Sequence, residues 1–379
     1  MATFQEITQQ PGVWRAAADT VRRRRAELGT FLEPLLKHEN LRIVLTGAGS
    51  SAFVGQIAAP ALGRRLGRRV EAIATTDLVS HPTTYFAEDV PTLLVSFARS
   101  GDSPESNSAL DLADQVLGQV SHLIVTCNPQ GALYRAHSDR PGSFVLLMPE
   151  NSNDAGFAMT SSFPAMLLSV LLVFLGEDDA AVEAVASAAE EILRADAGGD
   201  SRIQSLVARA PKRVVYLGSG PLAGAARESA LKLLELTAGR VVTYHDSALG
   251  FRHGPKAVLD ADTIAIVYVS SDPYSRLYDA DIVAELRASL GDDRVLVLAP
   301  DAASSHNGTA WALGTLAGHD DAYLAVAYVV LAQLFGYHYS VSLGLTPDNP
   351  FPNGDVNRVV RGVVIHELPD SAVARKAGR

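Results

Sequence analysis

Serine hydroxyls and backbone amides are concentrated in one short segment of this chain, residues 96–106, which reads SFARSGDSPES. Pro104 suits the first turn of a helix, and Ser103 before it is a natural N-cap whose oxygen accepts hydrogen bonds from the amides that follow. The free amides and the dipole of a helix start favour an anion, most simply a phosphate, beside Ser100, Gly101 and Ser103. Serine and glycine are also ordinary caps, so the local pattern leaves both interpretations open.

The elements around this segment predict a parallel sheet. An apolar, β-branched run at 91–97 precedes it, as expected of a buried strand, and similar runs occupy 41–46, 70–74, 122–126 and 143–147 with helical patterns between them. Strands that alternate with helices indicate a doubly wound α/β fold. Its ligands bind outside the carboxyl ends of the strands, where both 96–106 and the glycine-rich turn at 47–51 would lie.

The second half of the chain repeats the first. Gly218 lies 171 positions after Gly47, and Ser271 lies 171 positions after Ser100. Apolar runs at 165–176 and 322–336 close the two halves, and a tandem duplication of one α/β unit would explain all three matches. We therefore predict a helical leader (1–39), two α/β domains (40–198 and 199–345) and a C-terminal tail (346–379). In the leader, an amphipathic helix is expected from Trp14 to His38 with a kink or break at Pro34.

Composition narrows the class of protein. The 379 residues suggest two domains, and the formal charge of −10 argues against nucleic-acid binding; the basic run at 22–25 is interpreted as a solvated helix face. Cys127 is the single cysteine, so an intramolecular disulfide is excluded and a reducing cytoplasm fits. The N-terminus lacks the pattern of a signal peptide, and the two apolar runs are too short to span a bilayer, so we expect buried helices and no membrane association.

The motifs argue against several kinds of cofactor site. Each glycine turn has alanine, Ala52 or Ala223, where a dinucleotide fingerprint needs its third glycine. No nucleotide P-loop occurs, and the ten histidines show no His-x-x-x-His spacing, so a zinc site is not expected. Two further residues could do acid–base chemistry but have simpler interpretations: Glu235 as a surface carboxylate paired with Lys232, and His253 as an exposed loop histidine.

Motifs along the chain resemble the sugar isomerase (SIS) family of phosphosugar-binding domains in tandem, and within it the branch of galactosamine-6-phosphate deaminase/isomerases. Four segments carry the likeness to the family: 47–51, 100–103, 230–236 and 252–255. The match to the branch rests on 156–162, 225–231, 250–255 and 356–360. The resemblance extends from about residue 5 to about residue 366.

The resemblance implies roles for particular residues. Ser51, Ser100 and Ser103, with Arg99 beside them, fall where the sugar phosphate is bound. Glu235 falls on the glutamate that moves the proton between C1 and C2, and a partly buried carboxylate suits that task. His253 matches a histidine that helps open the sugar ring from the neighbouring subunit, and Lys232 a lysine close to the substrate. The family thus implies a homodimer, or a dimer of dimers, that shares its sites and needs no cofactor.

The departures from the pattern bear on the reaction. In the synthase branch of the family, glutamine stands at the position of Arg99, lysine at that of Ser161, and a catalytic tail lysine opposite Arg361. No glutamine-hydrolysing domain is recognised before the repeat, so release of ammonia is the expected direction. The implied activity is deamination and isomerisation of D-galactosamine 6-phosphate to D-tagatose 6-phosphate, hydrolysing a C–N bond. The alternatives are a simple aldose/ketose isomerase, a glucosamine-6-phosphate deaminase and a non-catalytic phosphosugar sensor.

Overall fold

The computed structural model describes residues 1–198, 201–302 and 310–369. These residues form two compact units, each with one sheet. The N-terminal sheet unit consists of residues 16–153, 165–177 and the tail from 356, and the C-terminal sheet unit consists of 1–15, 154–164 and the described part of 178–355. Each unit takes pieces from several parts of the chain, whereas the domains predicted from the sequence are continuous ranges. Those predicted boundaries stay a prediction.

The sheet of the N-terminal sheet unit has five parallel strands. They are β1 (Arg42–Thr46), β2 (Val70–Ala72), β3 (Thr92–Ala98), β4 (Val120–Thr126) and β5 (Ser143–Leu147). Their order is β2-β1-β3-β4-β5, and every residue of β1 and β3 is buried. A parallel strand covered on both faces is largely apolar, which is why these strands are readable as nearly continuous hydrophobic runs. All five predicted strands are confirmed.

The sheet of the C-terminal sheet unit has the same plan. Its strands are β6 (Arg213–Leu217), β7 (Val242–Asp246), β8 (Thr263–Tyr268), β9 (Val295–Ala299) and β10 (Ala310–Ala312). Their order is β10-β9-β8-β6-β7, so in both sheets the first strand of the unit lies between the second and the third. The predicted α/β class with two parallel, helix-flanked sheets is therefore confirmed, and each sheet reverses its winding beside its first strand.

Helices connect and flank the strands. In chain order they are α1 (Ala2–Thr8), α2 (Gln10–Arg23), α3 (Arg25–Leu36), α4 (Ser50–Leu66), α5 (Thr75–Ser80), α6 (Pro82–Tyr85), α7 (Pro104–Val116), α8 (Ala132–His137), α9 (Ser162–Leu175), α10 (Asp179–Ala197), α11 (Arg202–Ala208), α12 (Pro221–Leu236), α13 (Ser275–Leu290) and α14 (Asp321–Ser342). The predicted break at Pro34 is wrong, because α3 continues through that residue and the leader breaks at Arg24 instead; a kink at Pro34 stays a prediction. Pro34 has no N–H, so α3 lacks the one internal hydrogen bond that this residue would donate to the carbonyl of Thr30.

Both predicted apolar runs are buried helices, α9 and α14. The expectation that the second is too short for a bilayer is wrong on length, since α14 extends beyond the apolar run to 22 residues. By length and composition it is the one described helix that could cross a membrane, yet 83% of its most apolar window is buried in the fold. The core helix of a large α/β protein has the same composition, so this length carries no further conclusion.

Two histidines of the N-terminal sheet unit are buried against each other. The rings of His122 and His137 are 5.3 Å apart, Nε2 of His122 lies 3.0 Å from Oδ1 of Asp114, and Nδ1 of His137 lies 2.9 Å from the hydroxyl of Ser143. Burial lowers the pKa of His122, and burial with the neighbouring His122 lowers the pKa of His137 to about 4. Both rings are therefore held neutral in the folded state.

We expect this pair to make the protein sensitive to mild acid. Because both folded-state pKa values lie below the ordinary value of 6.5, the stabilisation is complete above pH 6.5 and is lost as the pH falls towards 4. The drop in melting temperature between pH 7.5 and pH 5 should be smaller in His137→Gln than in the wild type. His81→Gln, at an exposed position, is the matched control and should leave the drop unchanged. An equal drop in all three proteins would contradict the assignment.

Candidate active site

A glycine-rich turn follows β1 and ends in the first of the predicted phosphate residues. Gly49 has φ 56° and ψ −128°, a conformation suited to glycine, and Gly47 packs so closely that an added Cβ would lie 2.6 Å from the backbone of Ser51. Helix α4 starts at Ser50, and Ser51 is buried in its first turn. The two glycines thus let the chain reverse tightly and present the first-turn amides of α4 at the end of the sheet.

A second turn, after β3, carries Ser100 and Ser103. Ser103 occupies the N-cap position of α7, but its side chain makes no cap bond; its hydroxyl instead contacts that of Ser106 at 2.7 Å. The predicted capping role is therefore wrong for the side chain, although the position is right. The hydroxyl of Ser100 accepts a hydrogen bond from the amide of Asp102 at 3.3 Å. The N-cap side chain therefore does not bond the first amides of α7, and these amides and the helix dipole stay available to an anion.

The two turns lie at the same edge of one sheet. Strands β1 and β3 are parallel neighbours, with Thr46 paired to Ser96, so both chains leave the sheet at their carboxyl ends side by side. The strand order reverses between β1 and β3, which makes this edge the switch point where α/β sheets bind ligands. The structure thus brings the turns of Ser51, Ser100 and Ser103 to one place, as the sequence predicted.

Arg99 precedes these serines but its guanidinium has a partner in the tail. The residue is buried, and its Nη2 donates a hydrogen bond of 3.0 Å to the carbonyl of Arg358, within the same unit. This bond anchors the tail segment beside the end of β3. A part for Arg99 in phosphate binding stays a prediction.

The predicted proton-transfer residues lie on α12 of the C-terminal sheet unit. Lys232 is buried, with its side chain 1% exposed, and its ammonium forms an ion pair with the Glu235 carboxylate. A second carboxylate, Glu228, is fully buried one turn earlier, with Oε1 3.6 Å from the same ammonium. Spacings of four and three residues place all three on one helix face. Glu235 retains 25% side-chain exposure, so it is the member of this Glu-Lys-Glu cluster that a solute can reach.

Glu228 was missed by the sequence analysis. Its signal is present, since a glutamate four residues before a lysine is the favourable order of a helical ion pair. That spacing is equally common on solvated helix faces, and only the burial of α12 against α14 and β6 distinguishes the two cases. A buried lysine between two carboxylates needs such packing to be recognised.

His253 is not connected to the Glu-Lys-Glu cluster by hydrogen bonds in the described part of the chain. It ends the short 3-10 turn Gly250–Arg252, where its amide donates to the carbonyl of Gly250 at 2.9 Å, and it is exposed. Among the described residues, no hydrogen bond joins its ring to Lys232 or Glu235. The neighbouring Arg252 is held by Glu285 at 2.8 Å, which fixes the turn on the surface. An imidazole presented in this way is available to a molecule outside its own chain.

No cluster of histidine, cysteine and acidic side chains suited to a metal ion occurs in the described part of the chain. The chemistry available to these two sets of residues is anion binding by hydroxyls and amides, and proton transfer by a carboxylate and an imidazole.

Comparison with known proteins bears on both sets. A model of the SIS domain matches residues 35–176, which include the two serine turns. The AgaS protein of Streptomyces coelicolor is 56% identical over 371 residues, covering 97% of this chain and 96% of the relative. The D-galactosamine-6-phosphate deaminase AgaS of Escherichia coli is 45% identical over 368 residues, covering 96% and 95%. This chain belongs to the AgaS family of SIS-domain proteins.

Solved structures agree with the AgaS assignment. The crystal structure of tagatose-6-phosphate ketose/aldose isomerase from E. coli superposes with a TM-score of 0.89 at 43% identity, covering 97% of this chain and 96% of that one. Glucosamine-6-phosphate deaminase from Thermotoga maritima superposes with a TM-score of 0.66 at 21% identity, which shows a shared fold only. The family resemblance and the tandem SIS fold inferred from the motifs are confirmed, and the chain is an enzyme of aminosugar phosphate metabolism. The individual site residues stay predictions.

Proposed function

We propose that this AgaS-family chain converts D-galactosamine 6-phosphate into D-tagatose 6-phosphate and ammonia, and so acts as a hydrolase of a C–N bond. The observation that carries the proposal is the Glu-Lys-Glu cluster, in which Glu235 is partly exposed beside a buried lysine. A carboxylate of this kind can take a proton from a carbon acid and give it back to the adjacent carbon. The near full-length similarity to AgaS deaminases selects the substrate class.

The chemistry needs three steps once the sugar ring is open. Glu235 removes the proton from C2 of the aldehyde form while O1 gains a proton from solvent, which gives an enolamine. Glu235 then returns its proton at C1 while the amino nitrogen gives up one proton to solvent, which gives a ketimine. Water then adds to C2, and ammonia leaves with the formation of the ketose carbonyl. The ammonium of Lys232 keeps the carboxylate of Glu235 oriented, and the imidazole of His253 can carry the proton that ring opening moves.

The serine turns would hold the 6-phosphate. Two helix starts and the hydroxyls of Ser51, Ser100 and Ser103 offer donors to a dianion without a metal. A phosphate fixed far from the reacting carbons lets binding energy orient the open chain for proton transfer.

Assaying the purified protein with galactosamine 6-phosphate and glucosamine 6-phosphate, and measuring both ammonia and ketose phosphate, tests the proposal. Ammonia and tagatose 6-phosphate in equal amounts are expected from the first substrate. A simple aldose/ketose isomerase is the second candidate, favoured by the tagatose-6-phosphate isomerase structure. Isomerisation of tagatose 6-phosphate without ammonia release from either aminosugar would establish that candidate instead.

Loss of the serine hydroxyls is expected to weaken substrate binding more than catalysis. Ser100→Ala combined with Ser103→Ala should raise KM about 10-fold or more with kcat changed only a few-fold, because these bonds are made equally in the ground state and the transition state. Steady-state kinetics with Ser80→Ala, at an exposed position, as control provide the measurement. An unchanged KM would move the phosphate to another place.

We further propose a cytoplasmic homodimer in which His253 serves the partner subunit. The shared site is supported by His253, which is exposed and has no hydrogen bond to the Glu-Lys-Glu cluster in the described part of the chain. The compartment is supported by Cys127, the single cysteine, which is buried and fits a reducing environment. If a site uses Glu235 of one subunit and His253 of the other, a mixed dimer of Glu235→Gln and His253→Asn has one intact site. Mixing the two inactive variants should then restore roughly a quarter of the activity after random exchange of subunits. No recovery after demonstrated exchange would place both residues in one subunit.

A further inference from the structure

The C-terminal sheet unit has its own turn at the position of the serine turn after β3. Ser270 and Ser271 follow β8 as Arg99 and Ser100 follow β3, at the same offset of 171 residues. Strand β8 is the third strand of its unit and lies beside the first, so this turn also lies at a switch point. In sequence and in topology, the turn of Ser270 and Ser271 is the counterpart of the proposed phosphate turn.

In this counterpart turn, the hydrogen-bond donors are bonded to a carboxylate of the chain itself. The carboxylate of Asp321, at the first residue of α14, accepts three hydrogen bonds from the turn: from the amide of Ser271 at 2.7 Å, from its hydroxyl at 2.8 Å and from the hydroxyl of Ser270 at 2.5 Å. An amide and two hydroxyls converging on one anion are the donors expected of a phosphate site.

A second carboxylate lies behind the first. Asp279 of α13 is fully buried and accepts a bond of 2.9 Å from the amide of Ser270. Burial raises the pKa of Asp279 to about 6 and raises that of Asp321, in both cases with a contribution from neighbouring aspartates. Arg276 is the cation at this place, donating to the carbonyls of Ser270 and Ser271 and lying 3.5 Å from Asp301.

The backbone amides at the start of α13 are also bonded to a carboxylate of the chain. Asp272 accepts bonds from the amides of Tyr274 at 3.0 Å and Ser275 at 2.8 Å, whereas the side chain at the N-cap of α7 makes no such bond. The other turn of this unit has also changed, since Pro221 and Leu222 stand where Ser50 and Ser51 lie in the first half. Of the two turns compared in the described part of this unit, the one after β8 keeps a serine at the position that matches Ser100.

We propose that this turn is a second oxyanion cradle that the carboxylate of Asp321 occupies in place of a phosphate. The consequence is a division of labour: a phosphorylated ligand can be held by the turns of the N-terminal sheet unit and is kept out of the corresponding turn of the C-terminal sheet unit. Removing the carboxylate should open the cradle to a small tetrahedral oxyanion, and inorganic phosphate is the probe.

The test uses the full chain with Ser100→Ala and Ser103→Ala, so that the proposed substrate phosphate site does not contribute. In that background, Asp321→Ala should gain a saturable rise in melting temperature of about 2 °C or more with millimolar phosphate, beyond the rise of the background protein in the same buffers. Asp321→Asn keeps the shape and an acceptor oxygen, and as the matched control it should stay closed and show no added rise. Asp321→Ser, which retains a good first-turn residue, replaces the alanine variant if that one does not fold.

Three outcomes would overturn the proposal. The first is no added response of Asp321→Ala to phosphate. The second is an equal response to formate, which would indicate a pocket with no preference for a tetrahedral oxyanion. The third is a response of Asp321→Asn equal to that of Asp321→Ala. The result is independent of the proposed function, because failure of that function would appear as absence of turnover in the wild type, whichever way the Asp321 variants respond.

Discussion

Glu235→Gln is expected to reduce turnover of the aminosugar phosphate by about 10²- to 10⁴-fold, the range typical of a removed general acid–base group. Glutamine has nearly the shape of glutamate and can still accept a hydrogen bond from Lys232, but it cannot take a proton from carbon. Substrate affinity should therefore change little. The measurements are kcat and KM, together with exchange of the C2 proton with deuterated solvent.

The exchange measurement separates the proton-transfer step from the release of ammonia. If Glu235 moves the C2 proton, Glu235→Gln loses exchange and ammonia release together. If the variant still exchanges the proton but releases no ammonia, Glu235 serves the hydrolysis of the ketimine instead. Asp281→Asn, on the exposed part of α13, is the matched control and should keep both rates. Wild-type turnover by Glu235→Gln would remove this residue from the mechanism.

Much of the fold was readable from the sequence because burial and backbone geometry act locally. Strands such as β1 and β3 are covered on both faces, so they appear as continuous apolar runs whose limits agree with the structure to within about one residue. Gly49 and Gly220, at matching places in the two halves, both have φ near 57° and ψ near −128°. Conformations that favour glycine are marked by glycine in the sequence.

The parts that could not be predicted depend on contacts between distant residues. Ser103 has the right type and place for a cap, yet its hydroxyl turns to Ser106, which no local rule decides. The carboxylate of Asp321 meets Ser271 across 50 positions of the sequence. The offset of 171 residues therefore indicated a second serine turn but could not indicate that an aspartate fills it.

Glu228 illustrates the same limit within one helix. Its spacing to Lys232 was visible, but its complete burial depends on packing with other elements. For this reason the sequence left open whether Glu235 is a surface carboxylate paired with Lys232 or a group that transfers protons. The buried lysine answers the structural half of that question, and kinetics must answer the catalytic half.

Lys232→Met is expected to destabilise the protein by about 3 kcal/mol or more, because removal of the cation leaves a fully buried carboxylate, Glu228, facing another. Methionine fills much of the volume of the lysine stem, so the loss reports charge more than packing. Chemical denaturation gives the free energy of unfolding. Lys212→Met is the matched control, since that lysine pairs with Asp262 at the surface and is 78% exposed, and little change is expected there.

A second substitution distinguishes structural from catalytic loss. Adding Glu228→Gln to Lys232→Met removes the buried carboxylate charge that has lost the ammonium and should restore much of the stability. Activity should stay low in the double variant, because Glu235 still lacks the ammonium that orients it. Stability of Lys232→Met equal to that of the wild type would contradict the buried ion pair, whereas recovery of both stability and activity would show that the lysine acts only by neutralising Glu228.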